Sequence, residues 1–272
     1  MTAAPPLVDR TALSLRRARA DAGAHFLNSA AMDEVQDRLE MVNRTFLEPA
    51  VVTPFPDQWR QIIPKARIVP DDDMLALDAG AHDLVVHGFC LHWANDPVGQ
   101  IIQCRRALRE DGLFLSVSLG GQTLSELRVA LSEAEIGVRG GLSPRVLPMA
   151  DIRDSGALLQ RAGLALPVAD GNTINAEYRD IYHLMRDLRA MGETNALSSR
   201  IRHATPKALF ERANDIYRAN FAGEEGRIRA RFEFVTLTGW APSDNQPKPL
   251  RPGSAIERLS DALNTKETKL ID

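Results

Sequence analysis

The stretch 82–119 constrains the fold of this chain more than any other. His82-Asp-Leu-Val-Val-His-Gly-Phe is a continuous apolar run of strand length, the kind that lies between two helical layers in a parallel sheet. Asp96-Pro97 then offers an N-cap followed by a proline at the first helical position. Val98, Ile101, Ile102, Arg105 and Leu108 continue at helical spacing, Asp111-Gly112 reads as the helix stop, and Leu113-Phe-Leu-Ser-Val-Ser-Leu reads as the next strand. Strand, helix, strand in so short a span predicts a right-handed βαβ unit and hence an α/β fold.

The flanks extend this pattern. Met32, Val35, Leu39, Val42 and Phe46 predict a core-facing helix, Pro49-Ala-Val-Val a strand, Pro56 to Ile63 at most two helical turns, and Ala66-Arg-Ile-Val-Pro a further strand. Downstream, helices are expected over 122–135 and 151–161, and a strand from Leu164 to Val168 or beyond. A helix-rich insertion is expected over 178–221, and Arg229 to Trp240 alternates like a late antiparallel strand. The expected organisation is an N-terminal amphipathic arm (1–30), one domain (31–240) and an extended C-terminal tail (241–272). The arm carries Arg10, Arg16, Arg17 and Arg19; Asp9 and Asp21 interrupt it, unlike a transit peptide.

Composition excludes some functions. A net charge of −3 over 272 residues gives no basic field for nucleic acid, and the longest apolar runs fall far short of a membrane span. Cys90 and Cys104 lack Cys-x-x-Cys or paired-His spacing, so they read as buried structural thiols in a reducing compartment, with neither a disulfide nor a metal expected.

Several short motifs then carry a resemblance. Ala81-His-Asp-Leu-Val-Val, Leu91-His-Trp-Ala-Asn-Asp-Pro and Leu108-Arg-Glu-Asp-Gly-Leu-Phe-Leu resemble the fourth-to-fifth-strand passage of class I methyltransferases, in the branch of the biotin-pathway malonyl-carrier methyltransferases. Gly120-Gly-Gln-Thr-Leu-Ser-Glu-Leu-Arg, Gly140-Gly-Leu-Ser-Pro and Met191-Gly-Glu-Thr-Asn resemble a narrower group, methyltransferase-like assembly factors of respiratory complex I. Leu7-Val-Asp-Arg and Thr238-Gly-Trp are similar to the same group. The mitochondrial member of that group is associated with hydroxylating an arginine of a complex I iron–sulfur subunit. The resemblance implies a Rossmann-like fold with a mostly parallel sheet, helices on both faces and a late antiparallel strand.

It also exposes a departure. A working member opens its first strand on Asp-x-Gly-x-Gly-x-Gly, because glycine lets the backbone approach the cofactor. Here Thr53-Pro-Phe-Pro-Asp-Gln-Trp follows that strand, with Pro54 and Pro56 where glycines belong, and no glycine lies between Gly23 and Gly80. Only 34 positions separate Val51 from Val85, too few for the family's two further strand–helix units, so one unit with its ribose-binding acid is expected to be missing and the fold to be truncated. Asp71 or Asp72 matches the family position where an acid contacts adenine; these are the only cofactor positions expected if S-adenosylmethionine binding is retained.

The remaining candidates have bland readings beside functional ones. His87 and His92 could act as a base or touch substrate, or simply pack at a strand end. Trp93 reads as a core or rim aromatic, and Asp71-Asp-Asp as a solvated turn rather than a metal site. Ser116 and Ser118 lack a nucleophile elbow. Gly120-Gly121 could admit a partner's backbone or merely permit a turn.

The expected function is therefore a non-catalytic accessory subunit or assembly factor of complex I (NADH:quinone oxidoreductase). No catalytic residue, cofactor or metal is expected, and the partners would be subunits of the peripheral arm. The expected location is the bacterial cytoplasm, at the cytoplasmic side of the inner membrane through the partner complex. The alternative is an S-adenosylmethionine-dependent methyltransferase or protein-arginine hydroxylase, and a third option is a carrier-protein-binding relative of the biotin-pathway enzymes.

Overall fold

A computed structural model of the chain describes residues 5–246 and Thr265. The 241–272 tail therefore falls mostly outside the described residues. Up to Pro242 the chain packs as one unit.

Its six-stranded sheet comprises β1 (Pro49–Val52), β2 (Arg67–Val69), β3 (His82–Gly88), β4 (Leu108–Leu119), β5 (Ala165–Tyr178) and β6 (Ile228–Trp240), in the order β2-β1-β3-β4-β6-β5. The first four run parallel, and β6 lies antiparallel between β4 and β5. Val51 pairs with Ile68 on one side and with Val86 on the other, so a single strand, β2, stands between β1 and β3 in sequence. The family pattern has two units there.

Strand alternation divides the core into two layers. Val51, Leu84, Val86, Leu113 and Leu115 face one side, where α2 (Phe26–Val42), α5 (Ser125–Arg139), α7 (Ile181–Ala190) and α8 (Lys207–Phe221) pack. Ala50, Val52, Val85 and Phe114 face the other, covered by α4 (Pro97–Ala107) and α6 (Ile152–Arg161). Each of these strand side chains is essentially excluded from water, worth roughly 1.5–3 kcal/mol apiece for the larger ones. That is why the central strands read as unbroken apolar runs. Of two shorter helices, α1 (Arg10–Arg17) precedes α2 and α3 (Pro56–Ile62) links β1 to β2.

Asp96 caps α4 as expected, accepting from the Gly99 amide at 2.8 Å. The helix end differs from expectation. It stops at Ala107, because Leu108 turns extended to bury its side chain in the second layer and pairs with His82. Asp111-Gly112 is then no helix stop but an irregularity inside β4, with Asp111 at φ 57° and the register shifting between His82 and Leu84. On the far side, α2 runs unbroken through the boundary expected near residue 30. Gly120 belongs to packing: a Cβ there would lie 2.6 Å from Val235 Cγ2, so the glycine lets the chain leave β4 against β6.

Candidate functional site

Parallel strands of one sheet end on one edge, and in α/β sheets that edge is where ligands bind. Here β1, β2, β3 and β4 bring to it the loop from Thr53, Asp71, the segment 87–93 and Gly120.

The loop after β1 is fixed locally. The Thr53 amide donates to the Val69 carbonyl (3.0 Å), and Thr53 Oγ1 accepts from the Phe55 amide (3.2 Å). Pro56 opens α3 at a position where no amide donor is required. One turn later Trp59 is wholly buried. Its Nε1 donates to Asn28 Oδ1 on α2 at 3.1 Å, and its ring lies on the backbone at the end of β3: a Cβ added to Gly88 would come within 2.6 Å of Cε2 and Cζ2. The Trp59 indole thus packs on the end of β3, following the loop that stands where the resemblance places the glycine turn.

Asp71 corrects the expectation of a solvated turn. It is 5% exposed and accepts from Arg17 Nη1 with both oxygens, at 3.1 and 2.9 Å. Arg10 Nη1 adds a contact to Oδ2 at 3.2 Å, and Arg10 Nη2 donates to the Asp71 carbonyl. Burial opposes ionisation, but Arg17 and then Arg10 outweigh it and hold the Asp71 carboxyl below its usual range. Asp72 and Asp73 are exposed, and their carbonyls accept from Gln100 Nε2 (3.1 Å) and Gln103 Nε2 (3.0 Å) of α4.

Both arginines come from α1. The helix expected as part of an amphipathic N-terminal arm is held to the domain at its start. Asp9 caps it through the Ala12 amide (3.0 Å) and pairs with Arg200 Nη1 (2.9 Å). Val8 forms an antiparallel bridge with Leu197 and exchanges two hydrogen bonds with the Asn95 side chain. Leu13, 1% exposed, supplies the apolar anchor. Arg10 and Arg17 are thereby turned onto Asp71, while Arg16 donates to Thr194 Oγ1 (3.1 Å) and Arg19 stays exposed.

The two histidines pack. His87 is fully buried, with Nε2 on Gln100 Oε1 (2.7 Å) and Nδ1 beside Cys90 Sγ (3.4 Å); burial brings its pKa down to about 4, so it is neutral at physiological pH. His92 Nδ1 accepts from the Leu119 amide (3.4 Å), which leaves Nε2 to donate to Glu193 Oε2 (3.3 Å), a tautomer assigned from this network. Trp93 Nε1 donates to the same oxygen at 2.6 Å. Burial opposes the charge on Glu193, yet the His92 hydrogen bond, Arg17 and the Trp93 hydrogen bond together keep its carboxyl below the usual range. Cys90 and Cys104 are free and buried, and burial pushes both thiols up.

Glu193 is the site residue that sequence reasoning misses. It stands inside Met191-Gly-Glu-Thr-Asn, a motif that reads as a mark of lineage, with nothing to show that it meets Trp93, 100 positions away. Gly192 (φ 78°) ends α7 and turns the chain against the Arg17 backbone, which delivers Glu193 inward. Beside it lies a cavity of about 200 Å³, walled by Trp93, Leu127, Met149, Leu188 and Phe232 among others. Its far wall is pinned by Glu135, which holds Arg145 Nη2 (2.7 Å) and Ser143; Arg145 first and Ser143 next bring the Glu135 pKa down to about 2 against the effect of burial. This explains why Gly140-Gly-Leu-Ser-Pro forms a fixed loop. Among the described residues no group of three or more His, Cys, Asp or Glu could hold a metal ion, and no helix is long and apolar enough to cross a membrane.

The sheet order, the two helical layers and the ligand edge define an α/β protein of class I methyltransferase type. No family model matches the chain. It is 33% identical over 227 residues to the mitochondrial arginine-hydroxylase NDUFAF5 of Danio rerio, covering 82% of this chain and 69% of that protein. It is also 33% identical over 191 residues to the malonyl-[acyl-carrier protein] O-methyltransferase of Laribacter hongkongensis, covering 70% of this chain and 62% of that one. Among solved structures, the YcgJ protein of Bacillus subtilis superimposes with a TM-score of 0.48 at 11% identity, over 79% of this chain and 99% of that one. The chain belongs to the NDUFAF5 arginine-hydroxylase family. It spans between 45% and 69% of the length of the arginine-hydroxylases it matches.

Proposed function

We propose that this chain is a non-catalytic methyltransferase-fold assembly factor or accessory subunit of respiratory complex I, acting by protein binding. One observation carries the reading: at the β1–β3 part of the ligand edge the chain's own side chains, Trp59 and the Asp71–Arg17 pair, stand where the resemblance places the cofactor loop. Methyltransferase relatives imply S-adenosylmethionine, but the residues present here do not fit it. Trp59 lies against Gly88, prolines replace the glycine turn, and Asp71, the acid at the adenine position, is neutralised by Arg10 and Arg17. Asp72 is exposed and carries no such site alone. What the chain keeps are the motifs it shares with the assembly-factor group and the surfaces they build. The partner would be the peripheral arm of complex I at the cytoplasmic side of the inner membrane.

The test is a host strain lacking this chain. Complex I should accumulate as partial assemblies, and a tagged copy should both restore assembly and co-purify with complex I subunits. Normal assembly in the deletion strain, with the tagged chain absent from the complex, overturns the proposal.

A further inference from the structure

We propose that the arginines gathered where the end of α1 meets the end of α7 form a docking site for an acidic segment of a partner protein. This rests on the protein-binding reading above and names the chemistry of one contact. The two helix ends are held together by short contacts. The Asp21 amide donates to the Ala190 carbonyl at 2.7 Å, Arg16 Nη1 donates to Thr194 Oγ1 at 3.1 Å, and a Cβ on Gly192 would stand 3.1 Å from Arg17 Cα. Arg16, Arg19 and Arg189 thereby share one corner, with Arg200 beside them. Burial, then the like charges of Arg200, Arg19 and Arg189, pull the Arg16 pKa down against the attraction of Asp9.

The acids nearby are already engaged. Asp9 holds Arg200, Asp71 holds Arg10 and Arg17, Glu193 serves His92 and Trp93, and Asp21 accepts from the Gly23 amide. Among the described residues none of them forms an ion pair with Arg16, Arg19 or Arg189, and Arg16 Nε is buried without a hydrogen-bond partner. Like charges held together beside an unmatched donor mark a place where an anion arrives. On a chain of net charge −3 this corner is a local exception, not part of a basic field.

Two features favour a protein carboxylate over a phosphate. Both α1 and α7 present their C-terminal ends here, the negative ends of the helix dipoles, and not the free amides that cradle phosphates. Leu15, 56% exposed and one turn before Arg19, adds an apolar contact that suits a peptide side chain. Each guanidinium supplies a planar fork that fits a carboxylate.

Isothermal titration of the full chain at low salt compares the blocked peptide Asp-Glu-Leu-Glu-Asp with its uncharged counterpart Asn-Gln-Leu-Gln-Asn and with inorganic phosphate. The acidic peptide should bind about tenfold more tightly than either, an exposed ion pair being worth roughly two- to threefold. Combining Arg16→Gln, Arg19→Gln and Arg189→Gln should erase the difference and weaken co-purification with complex I subunits. Combining Arg106→Gln, Arg153→Gln and Arg161→Gln, exposed arginines elsewhere on the chain, should preserve both. Should the Arg16 replacement fail to fold, the exposed pair Arg19→Gln and Arg189→Gln carries the test. Equal binding of the two peptides, phosphate binding as tightly as the acidic peptide, or equal losses in the two sets of variants overturns the inference. Undiminished co-purification of the Arg16, Arg19 and Arg189 variant refutes the docking site alone. Peptide discrimination by a chain that never joins complex I refutes the assembly role alone.

Discussion

Replacing Asp71 by Asn tests whether α1 is held by charge. The side chains of Arg17 and Asp71 are 9% and 6% exposed, so the substitution strands a buried guanidinium. Removing one partner of a buried pair costs about 3–5 kcal/mol, and because Asn keeps one acceptor oxygen we expect about 3 kcal/mol. Arg10, a quarter exposed, adds little. For a unit of this size that corresponds to a melting point lower by about 6–12 °C in scanning calorimetry. Hydrogen exchange over Arg10–Arg17 should accelerate more than elsewhere, since the helix loses its anchor. The pH dependence has a definite sign. The folded Asp71 pKa lies below its unfolded value, so its stabilisation is complete above the unfolded pKa, near 4, and disappears as pH falls through the folded value. The gap between wild type and Asp71→Asn should therefore close in acid. Joint replacement of Arg17 by Met and Asp71 by Leu should recover much of the loss, because the desolvated pair is replaced by apolar packing. A shift below about 2 °C, or no change in exchange over α1, would show that the ion pair does not anchor the helix.

Other consequences are more local. Gly88→Ala pushes a methyl to 2.6 Å from the Trp59 ring and should cost about 1–3 kcal/mol in denaturant unfolding. Adding Trp59→Leu should recover part of that, and an additive double mutant would contradict the contact. Glu135→Gln should destabilise the chain at neutral pH and progressively less as pH falls from near 4.5 towards 2, read from urea midpoints across that window, because the wild-type carboxyl contributes only while ionised. Cys90 and Cys104 should resist a thiol reagent in the folded chain and react in denaturant; labelling of either at native rates would show that the second layer opens.

Much of the fold is legible in the sequence because it depends on local signals. The apolar run at 82–88, the Asp96-Pro97 cap and the alternation of Arg229 to Trp240 each specify an element without reference to the rest of the chain. The missing strand–helix unit is legible from the spacing only once it is set beside the family the sequence resembles. What cannot be read depends on distant pairing. An amphipathic helix announces an apolar face but not its destination, and Asp71 meets its arginines across 54 and 61 positions. Asp111-Gly112 has the composition of a helix stop and of a bulge alike, and only the burial of Leu108 decides between them. Glu193 escapes for the same reason, since its partners sit on the loop after β3.

Closure of the ligand edge to S-adenosylmethionine underlies the whole functional reading. Calorimetric titration of the full chain with S-adenosylmethionine, paired with a thermal-shift measurement, probes it without intermediaries. A closed edge gives no binding heat and no change in melting temperature, whereas micromolar binding would show the edge to be open and return the chain to the enzymes of its family.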